Sequence, residues 1–409
     1  MSLAYIFFMV CSLSSLSLLL FKKRYFDFIS IYIIFLTLYS IPLFFNSIYN
    51  VYTEEFSIIP NSLTLVSMGV AFFVTIPFLL MNNNFKINDN KDESLNYFLD
   101  RVFLNFTLIC CIVGFLVNIP LLLNSANKLE AIASTNIIYF ILFMYFPLVG
   151  FFLAVHQKRK LSIIMFFIML IVVALLGARA PLAMAIIGFL LYYNSNNKFR
   201  LVSKYKFFLL GLASMFAIIL SKTLYSTLYA GASLDEWKND FSLKYIFLGS
   251  EFLSTSTILD SVVVNNFSLD FINSFKSFLA ILPIPLEYFN FSSSYFNDAF
   301  QPYLFPSISY GMAYNPWAEA YAWMGILGII FYSLIILMAL RILWFLYKRN
   351  NSVGAVLVLI LAILIAFWIQ RNSLGSILAY IRNILYLYLF LYIFSFGLSV
   401  ILSKGGKKW

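Results

Sequence analysis

The chain has 409 residues, of which 62% are hydrophobic, 20% are aromatic and only 11% are charged. A soluble protein of this length needs far more polar surface, so the composition excludes a soluble enzyme or binding domain. The net charge of +10 is compatible with nucleic-acid binding, but the basic residues lie in short clusters between apolar runs, which is typical of membrane topology.

Long apolar runs predict an all-α polytopic membrane protein with about eleven transmembrane helices, because barrel strands would alternate with polar residues. The first run precedes the basic cluster Lys22, Lys23 and Arg24, so we expect it to remain as a span and not to be cleaved as a signal peptide. In chain order, the predicted spans are residues 3–21, 26–46, 57–81, 102–123, 136–155, 161–177, 180–194, 207–224, 318–340, 352–370 and 376–402.

The basic residues predict the orientation of these spans. Most of the 27 Lys and Arg residues fall in one alternate set of connections, which we therefore expect to be cytoplasmic. The N-terminus is then outside and the C-terminus inside, which agrees with an odd number of spans. Residues 1–224 hold about eight spans, residues 225–317 form one large external loop, and residues 318–409 hold the remaining spans.

The external loop is too long to be a passive connection, and loops of this size usually carry function. Its middle part has helical apolar spacing, which predicts one or two amphipathic helices on the outer leaflet. We expect its acids to be mostly solvated charges, among them Asp260 and Asp298, with Glu251 retained as a candidate substrate contact.

Three arginines lie at or near the predicted external ends of spans: Arg179, Arg371 and Arg382. A full charge near hydrocarbon costs on the order of 2.5–3.5 kcal/mol, so it persists where it has a partner or a task. The planar guanidinium matches phosphate oxygens, which makes the three residues candidates for one anion-binding site, with Lys222 as a further candidate. The alternative is that each snorkels to the interface or pairs with a structural acid.

Glu319 enters the span 318–340 from the external loop, in a position where a carboxylate can orient or deprotonate a sugar hydroxyl. The alternative is a helix-terminal charge that complements the dipole. Tyr314, Trp317 and Tyr321 surround it in sequence and offer apolar faces to a sugar, although aromatic belts at membrane interfaces have the same composition.

The sequence motifs that mark ATP binding, zinc binding and serine-nucleophile catalysis are absent. There is no phosphate-binding Gly-rich loop with Lys-Ser/Thr, no zinc-binding His pair and no nucleophile elbow. The single histidine, His156, falls in a predicted cytoplasmic connection, and Cys11, Cys110 and Cys111 all lie inside apolar runs. We therefore expect no metal and no cofactor.

Taken in order, these features resemble the bacterial O-antigen (oligosaccharide repeat unit) polymerases, the Wzy family. The resemblance runs along nearly the whole chain: about eleven spans, the Gly177-Ala178-Arg179 turn, the late external loop, Glu319-Ala320-Tyr321 with Gly325, and Arg371-Asn372-Ser373-Leu374. Other members often have Arg-Gly-Asp after the late arginine, whereas this chain has Asn372 and Ser373.

The resemblance implies a GT-C-like glycosyltransferase in the bacterial inner membrane, with the large loop in the periplasm. It would transfer a growing glycan from undecaprenyl diphosphate to the non-reducing end of a new undecaprenyl-diphosphate-linked repeat unit. It further implies catalytic roles for Arg179, Arg371 and Glu319, substrate binding by Arg382, Lys222, Glu251 and the three aromatics, and a chain-length regulator protein as a partner beside the lipid bilayer.

Three alternatives stay open at this point. The O-antigen ligase shares the layout, but that family uses an external histidine, which this chain lacks. A flippase or transporter for the same lipid-linked sugars is typically built from repeats, and no internal repeat is visible here. An assembly protein without chemistry is the third alternative.

Overall fold

The computed structural model describes residues 2–24, 27–53, 55–81, 93–124, 137–175, 178–195, 251–270, 275, 277–282, 296–308, 314–349 and 353–404. Within them, the regular structure is helical apart from an antiparallel hairpin of Ile48–Asn50 with Glu55–Ile58. The α-helices are Leu3–Phe21, Phe28–Tyr39, Ile41–Phe44, Ser62–Leu80, Glu93–Asn124, Ile137–Met144, Phe146–His156, Lys160–Leu175, Ala180–Ser195, Glu251–Val264, Phe296–Leu304, Pro316–Arg349, Val353–Ala366 and Leu374–Lys404, with a 3₁₀-helix at Trp368–Arg371.

Six of the described helical segments are long and apolar enough to cross a membrane, by length and composition. The fold is thus consistent with the helical membrane protein that the composition predicts, while the count of about eleven spans stays a prediction. The predicted span 207–224 and most of the predicted loop lie outside the described residues. The six segments are Leu3–Phe21, Ser62–Leu80, Asp100–Pro120, Pro316–Arg349, Gly354–Arg371 and Leu374–Leu398.

Two predicted spans are each divided into two helices. The span 26–46 is broken at Ser40 and the span 136–155 at Tyr145, and in each case a proline occupies one of the first two positions of the following helix. Proline suits that position because its missing N–H has no intrahelical partner there. The hairpin after residue 47 was not predicted, although its short strands contain the β-favouring residues Ile48 and Tyr49.

The described residues divide into two compact units. The first unit draws on Met1–Asn84, Leu243–Phe345 and Ala362–Arg382. In it, the helix Leu3–Phe21 packs along Ser62–Leu80, and the hydroxyls of Ser15 and Thr75 form a buried hydrogen bond of 2.7 Å between them. Such hydroxyl pairs join apolar helices where hydrophobicity alone does not distinguish a neighbour from lipid.

The second unit draws on Phe85–Ser242, Leu346–Leu361 and Asn383–Trp409. In it, the helix Phe146–His156 packs against Lys160–Leu175, and Gly150 lies so close to the ring of Phe166 that a Cβ there would overlap it. The Gln157 side-chain amide donates a 2.6 Å hydrogen bond to the carbonyl of Asp100.

The helix Pro316–Arg349, which we call the broken helix, is interrupted at Met324 and Gly325. Gly325 has a φ of 60° and a ψ of −140°, a conformation open to glycine because it has no Cβ. The chain turns sharply there, so that a Cβ on Gly328 would overlap the backbone carbonyl of Ala320. In a straight helix these two residues would lie about 12 Å apart. The Ala322 carbonyl instead accepts the N–H of Leu269 at 2.8 Å.

The helix Glu251–Val264, which we call the loop helix, is tied to three other segments of the first unit. The hydroxyl of Thr257 donates to the carbonyl of Tyr49 at 2.5 Å, and the side-chain amide of Asn315 donates to the carbonyl of Thr255 at 2.7 Å. Asp260 Oδ1 accepts the N–H of Asn61 at 2.7 Å and the hydroxyl of Thr64 at 2.6 Å, at the start of the helix Ser62–Leu80.

Asp260 corrects one expectation. The sequence predicts a solvated loop acid, whereas the residue is 7% exposed and bonded to two donors. Burial raises the pKa of Asp260, and its hydrogen bonds with Thr64 and Asn61 lower it by less. Asp298 is exposed, as expected.

We expect Gly328→Ala to destabilise the first unit, because the added Cβ meets backbone and not a flexible side chain. Overpacking of this kind costs about 1–3 kcal/mol, which lowers the midpoint of thermal unfolding in detergent. Gly397→Ala is the matched control, since a Cβ on that helical glycine meets nothing within 4 Å. Equal midpoints for the two variants would contradict the close approach of Gly328 to Ala320.

We expect Asp260→Asn to unfold near neutral pH at or above the wild-type temperature. The amide keeps an acceptor oxygen for Asn61 and Thr64 and removes a charge that burial disfavours. Asp260→Ala leaves both donors without this acceptor, at a cost of about 1–3 kcal/mol. Asp298→Asn, at an exposed acid, is the control. Equal losses of stability in Asp260→Asn and Asp260→Ala would contradict the role of Asp260 as the acceptor for Asn61 and Thr64.

Candidate functional site at the start of the last helix

Glu319 lies in the first turn of the broken helix with its side chain 2% exposed. Its Oε2 accepts the N–H of Leu374 at 2.8 Å, and its Oε1 accepts the hydroxyl of Ser277 at 3.3 Å. Leu374 is the first residue of Leu374–Lys404, which we call the last helix. The carboxylate therefore sits at the N-terminus of another helix, where the macrodipole favours negative charge.

Local sequence places both helix starts. Asn315 caps the broken helix, since its Oδ1 accepts the N–H of Trp317 at 2.8 Å and that of Ala318 at 3.1 Å, and Pro316 takes the first helical position. The last helix begins after the 3₁₀-helix, and the Ser373 hydroxyl oxygen accepts the N–H of Ser376 at 3.2 Å. Asn315 and Ser373 thus each cap the start of their own helix, and the hydrogen bond between Glu319 and Leu374 connects the two starts.

Two of the predicted arginines, Arg371 and Arg382, lie on the two sides of Leu374 in the chain. Arg371 ends the 3₁₀-helix three residues before Leu374, is half-buried, and its carbonyl accepts the N–H of Tyr314 at 3.2 Å. Arg382 lies on the last helix, about 12 Å along the axis from its start. Its Nη1 donates to the carbonyl of Leu282 at 3.4 Å. In the first unit, Glu319 and Arg371 thus lie at the beginning of the last helix, and Arg382 lies about two turns further along it.

The other predicted charged residues are placed elsewhere or lie outside the described residues. Arg179 belongs to the second unit, directly before the helix Ala180–Ser195, and its carbonyl accepts the N–H of Ala183 at 3.1 Å. That it shares a site with Arg371 and Arg382 stays a prediction. Lys222 is outside the described residues, and Glu251 begins the loop helix with its side chain outside them.

The three predicted aromatics differ in exposure. Trp317 is 2% exposed and its ring meets that of Tyr32 edge-on, with 6.4 Å between the centroids. Tyr314 and Tyr321 are half-buried. In this structure Trp317 contributes packing, and of the three only the two tyrosines retain accessible surface on which a sugar can lie.

Sequence reasoning missed Ser277 and Gln370. Ser277 contacts Glu319 from 42 residues away, and no local signal marks it. Gln370 is 1% exposed, and both polar atoms of its amide are buried without a hydrogen-bond partner among the described residues. Asn315, by contrast, was detectable, because Asn followed by Pro and then an apolar run is a helix start signal.

Comparison with known proteins adds no family to this geometry. No family model matches the chain, and no curated protein or solved structure matches it. Among the described residues, no group of three His, Cys, Asp or Glu side chains is arranged to hold a metal ion. The functional conclusion therefore rests on the residues of the site.

We expect Glu319→Gln to unfold at nearly the wild-type temperature, because the amide oxygen still accepts the N–H of Leu374. Glu319→Ala removes this acceptor, at a cost of about 1.5–3 kcal/mol for a hydrogen bond to a charged group. Thermal unfolding in detergent measures both, with Glu55→Ala in the strand Glu55–Ile58 as the exposed control. The capping role is wrong if Glu319→Ala behaves like that control.

Proposed function

We propose that this protein is a membrane glycosyltransferase that polymerises lipid-linked oligosaccharide repeat units at the periplasmic face of a bacterial inner membrane. The growing glycan is transferred from undecaprenyl diphosphate to the non-reducing end of a new undecaprenyl-diphosphate-linked repeat unit. The proposal includes the GT-C-like architecture, the periplasmic N-terminus and the cytoplasmic C-terminus.

One observation supports this proposal most: Arg371 directly precedes a helix start that the buried carboxylate of Glu319 caps, and Arg382 lies on the same helix about 12 Å further along. The helical path is also interrupted twice here, at Met324–Gly325 and between Ala366 and Leu374. In a membrane protein, non-helical backbone is tolerated where it is buried in protein or lines a cavity, and such interruptions are typical of substrate sites. Fixed guanidinium groups beside them suit an anionic lipid headgroup.

The chemistry follows from the charges that develop. The acceptor hydroxyl oxygen forms a bond to the anomeric carbon of the donor sugar, and the bond from that carbon to the diphosphate oxygen breaks. Negative charge builds on the departing diphosphate, where Arg371 and Arg382 stabilise it without a metal. The proton of the acceptor hydroxyl passes to a base, for which Glu319 is our candidate.

Residues beyond this junction complete the proposal. By the sequence argument, Arg179 and Lys222 are further candidates for binding the diphosphate, and Glu251, Tyr314 and Tyr321 are candidates for contacting the sugars. The external loop excludes water, so that the acceptor hydroxyl competes with hydrolysis. A chain-length regulator is the proposed protein partner.

We expect Arg371→Ala to lower the rate of polymerisation about 100-fold or more, as removal of a preorganised charge stabiliser does. The assay is polymer formation from a defined lipid-linked repeat unit by purified protein, with a chelator present. Arg371→Lys keeps the charge but loses the planar fork, and should recover part of the rate. Arg349→Ala, at an exposed arginine of the broken helix, is the matched control.

The result can contradict the proposal in two ways. Wild-type protein that forms no polymer from any repeat unit, but transfers glycan to a lipid A core acceptor, indicates a ligase. Full-length polymer from Arg371→Ala at normal protein levels removes Arg371 from the site.

A further inference from the structure

A short segment of the external loop crosses the candidate site. Residues 277–282, which we call the strap, place the Ser277 hydroxyl on Glu319 Oε1 at 3.3 Å and the Leu282 carbonyl on Arg382 Nη1 at 3.4 Å. A Cβ built on Gly375 of the last helix would lie 3.5 Å from the Cβ of Ser277, which is ordinary contact. The strap therefore lies directly on the start of the last helix.

The two polar contacts of the strap are long, whereas the bond beneath them is short. Donor–acceptor distances are ordinarily about 2.5–3.0 Å for O–H···O and about 2.7–3.2 Å for N–H···O hydrogen bonds. The contacts at Ser277 and Leu282 exceed that range, while the bond from the Leu374 N–H to Glu319 measures 2.8 Å. Phe278 anchors the strap, with its ring 5.7 Å from that of Trp323 and 6.3 Å from that of Tyr332.

The chemical groups of the strap match those of the proposed substrates. A serine hydroxyl on Glu319 Oε1 is the same group as an acceptor sugar hydroxyl, and a carbonyl oxygen on Arg382 stands where a phosphate oxygen would bind. We infer that the strap is a pseudosubstrate: in the free protein it occupies the carboxylate and one guanidinium of the site, and the lipid diphosphate and acceptor sugar displace it. This inference rests on the proposed function and adds its regulation.

The positive charge of Arg382 determines whether it binds the strap or the lipid diphosphate. Arg382 is positively charged, and an anionic diphosphate can accept two parallel hydrogen bonds from its planar fork, whereas the neutral Leu282 carbonyl accepts one at 3.4 Å, so the diphosphate outcompetes the carbonyl. Once that contact is lost, the strap keeps the long 3.3 Å contact of Ser277 and the packing of Phe278, and the acceptor hydroxyl displaces Ser277 from Glu319 Oε1. The strap thus shields Glu319 until the donor arrives.

A disulfide can lock the strap in place. The Cβ separation of 3.5 Å between Ser277 and a Cβ on Gly375 falls within the range for disulfides. We expect the double variant Ser277→Cys/Gly375→Cys, with Cys11, Cys110 and Cys111 replaced by Ala, to polymerise about tenfold or more slowly when oxidised than when reduced, because the strap cannot leave the site. Each single variant is the control and should not respond to oxidant. Equal rates for the oxidised and reduced double variant overturn the inference.

A second measurement does not depend on polymerisation. In the same background, the thiol of Ser277→Cys should react at least about threefold faster with a membrane-impermeant maleimide when undecaprenyl diphosphate is present, because displacement of the strap exposes it. Arg382→Gln should abolish this increase. An unchanged labelling rate with the lipid diphosphate overturns the inference.

The two arms separate the inference from the proposed function. Labelling that rises with undecaprenyl diphosphate, in a protein that forms no polymer, supports the strap and contradicts the polymerase. Polymerisation by wild-type protein, with labelling and rate both insensitive to the lipid and the lock, supports the polymerase and contradicts the strap.

Discussion

The hydrogen bond from the Leu374 N–H to the buried carboxylate of Glu319 is the interaction on which the candidate site depends. The first N–H groups of a helix have no intrahelical partner, and a carboxylate removed from water costs several kcal/mol unless it is bonded. Each group satisfies the requirement of the other. As a result the start of the last helix, and with it the positions of Arg371 and Arg382, is set by a residue of the broken helix.

The same principle organises the rest of the first unit. Apolar helices gain little from burying hydrocarbon against each other in lipid, so polar contacts select their neighbours. The loop helix is joined to the hairpin by Thr257, to the broken helix by Asn315 and to the helix Ser62–Leu80 by Asp260. A loop segment thereby becomes part of the packed unit that carries Glu319.

The proposed chemistry requires charged groups of both signs near the reacting sugars. A glycosyl transfer from a lipid diphosphate needs positive charge where the leaving group departs and a carboxylate near the acceptor hydroxyl. In the proposed function, Arg371 and Arg382 provide the first and Glu319 provides the second. Glu319 and Arg371 lie at the start of the last helix, and Arg382 lies on the same helix. In the inferred resting state, the Ser277 hydroxyl of the strap occupies Glu319 Oε1 and its Leu282 carbonyl occupies Arg382 Nη1.

The sequence by itself determined the class of the protein and several helix starts. Hydropathy marks the apolar segments, and Pro316 and Ser373 mark two helix starts at or beside them, because these signals act within a few residues. The tertiary structure alone decided the partner of Glu319, which is 55 residues away, the burial of Asp260, whose partner Asn61 is 199 residues away, and the turn at Gly325. No local pattern encodes these features, since each depends on which distant donor, acceptor or backbone segment the packing brings within reach.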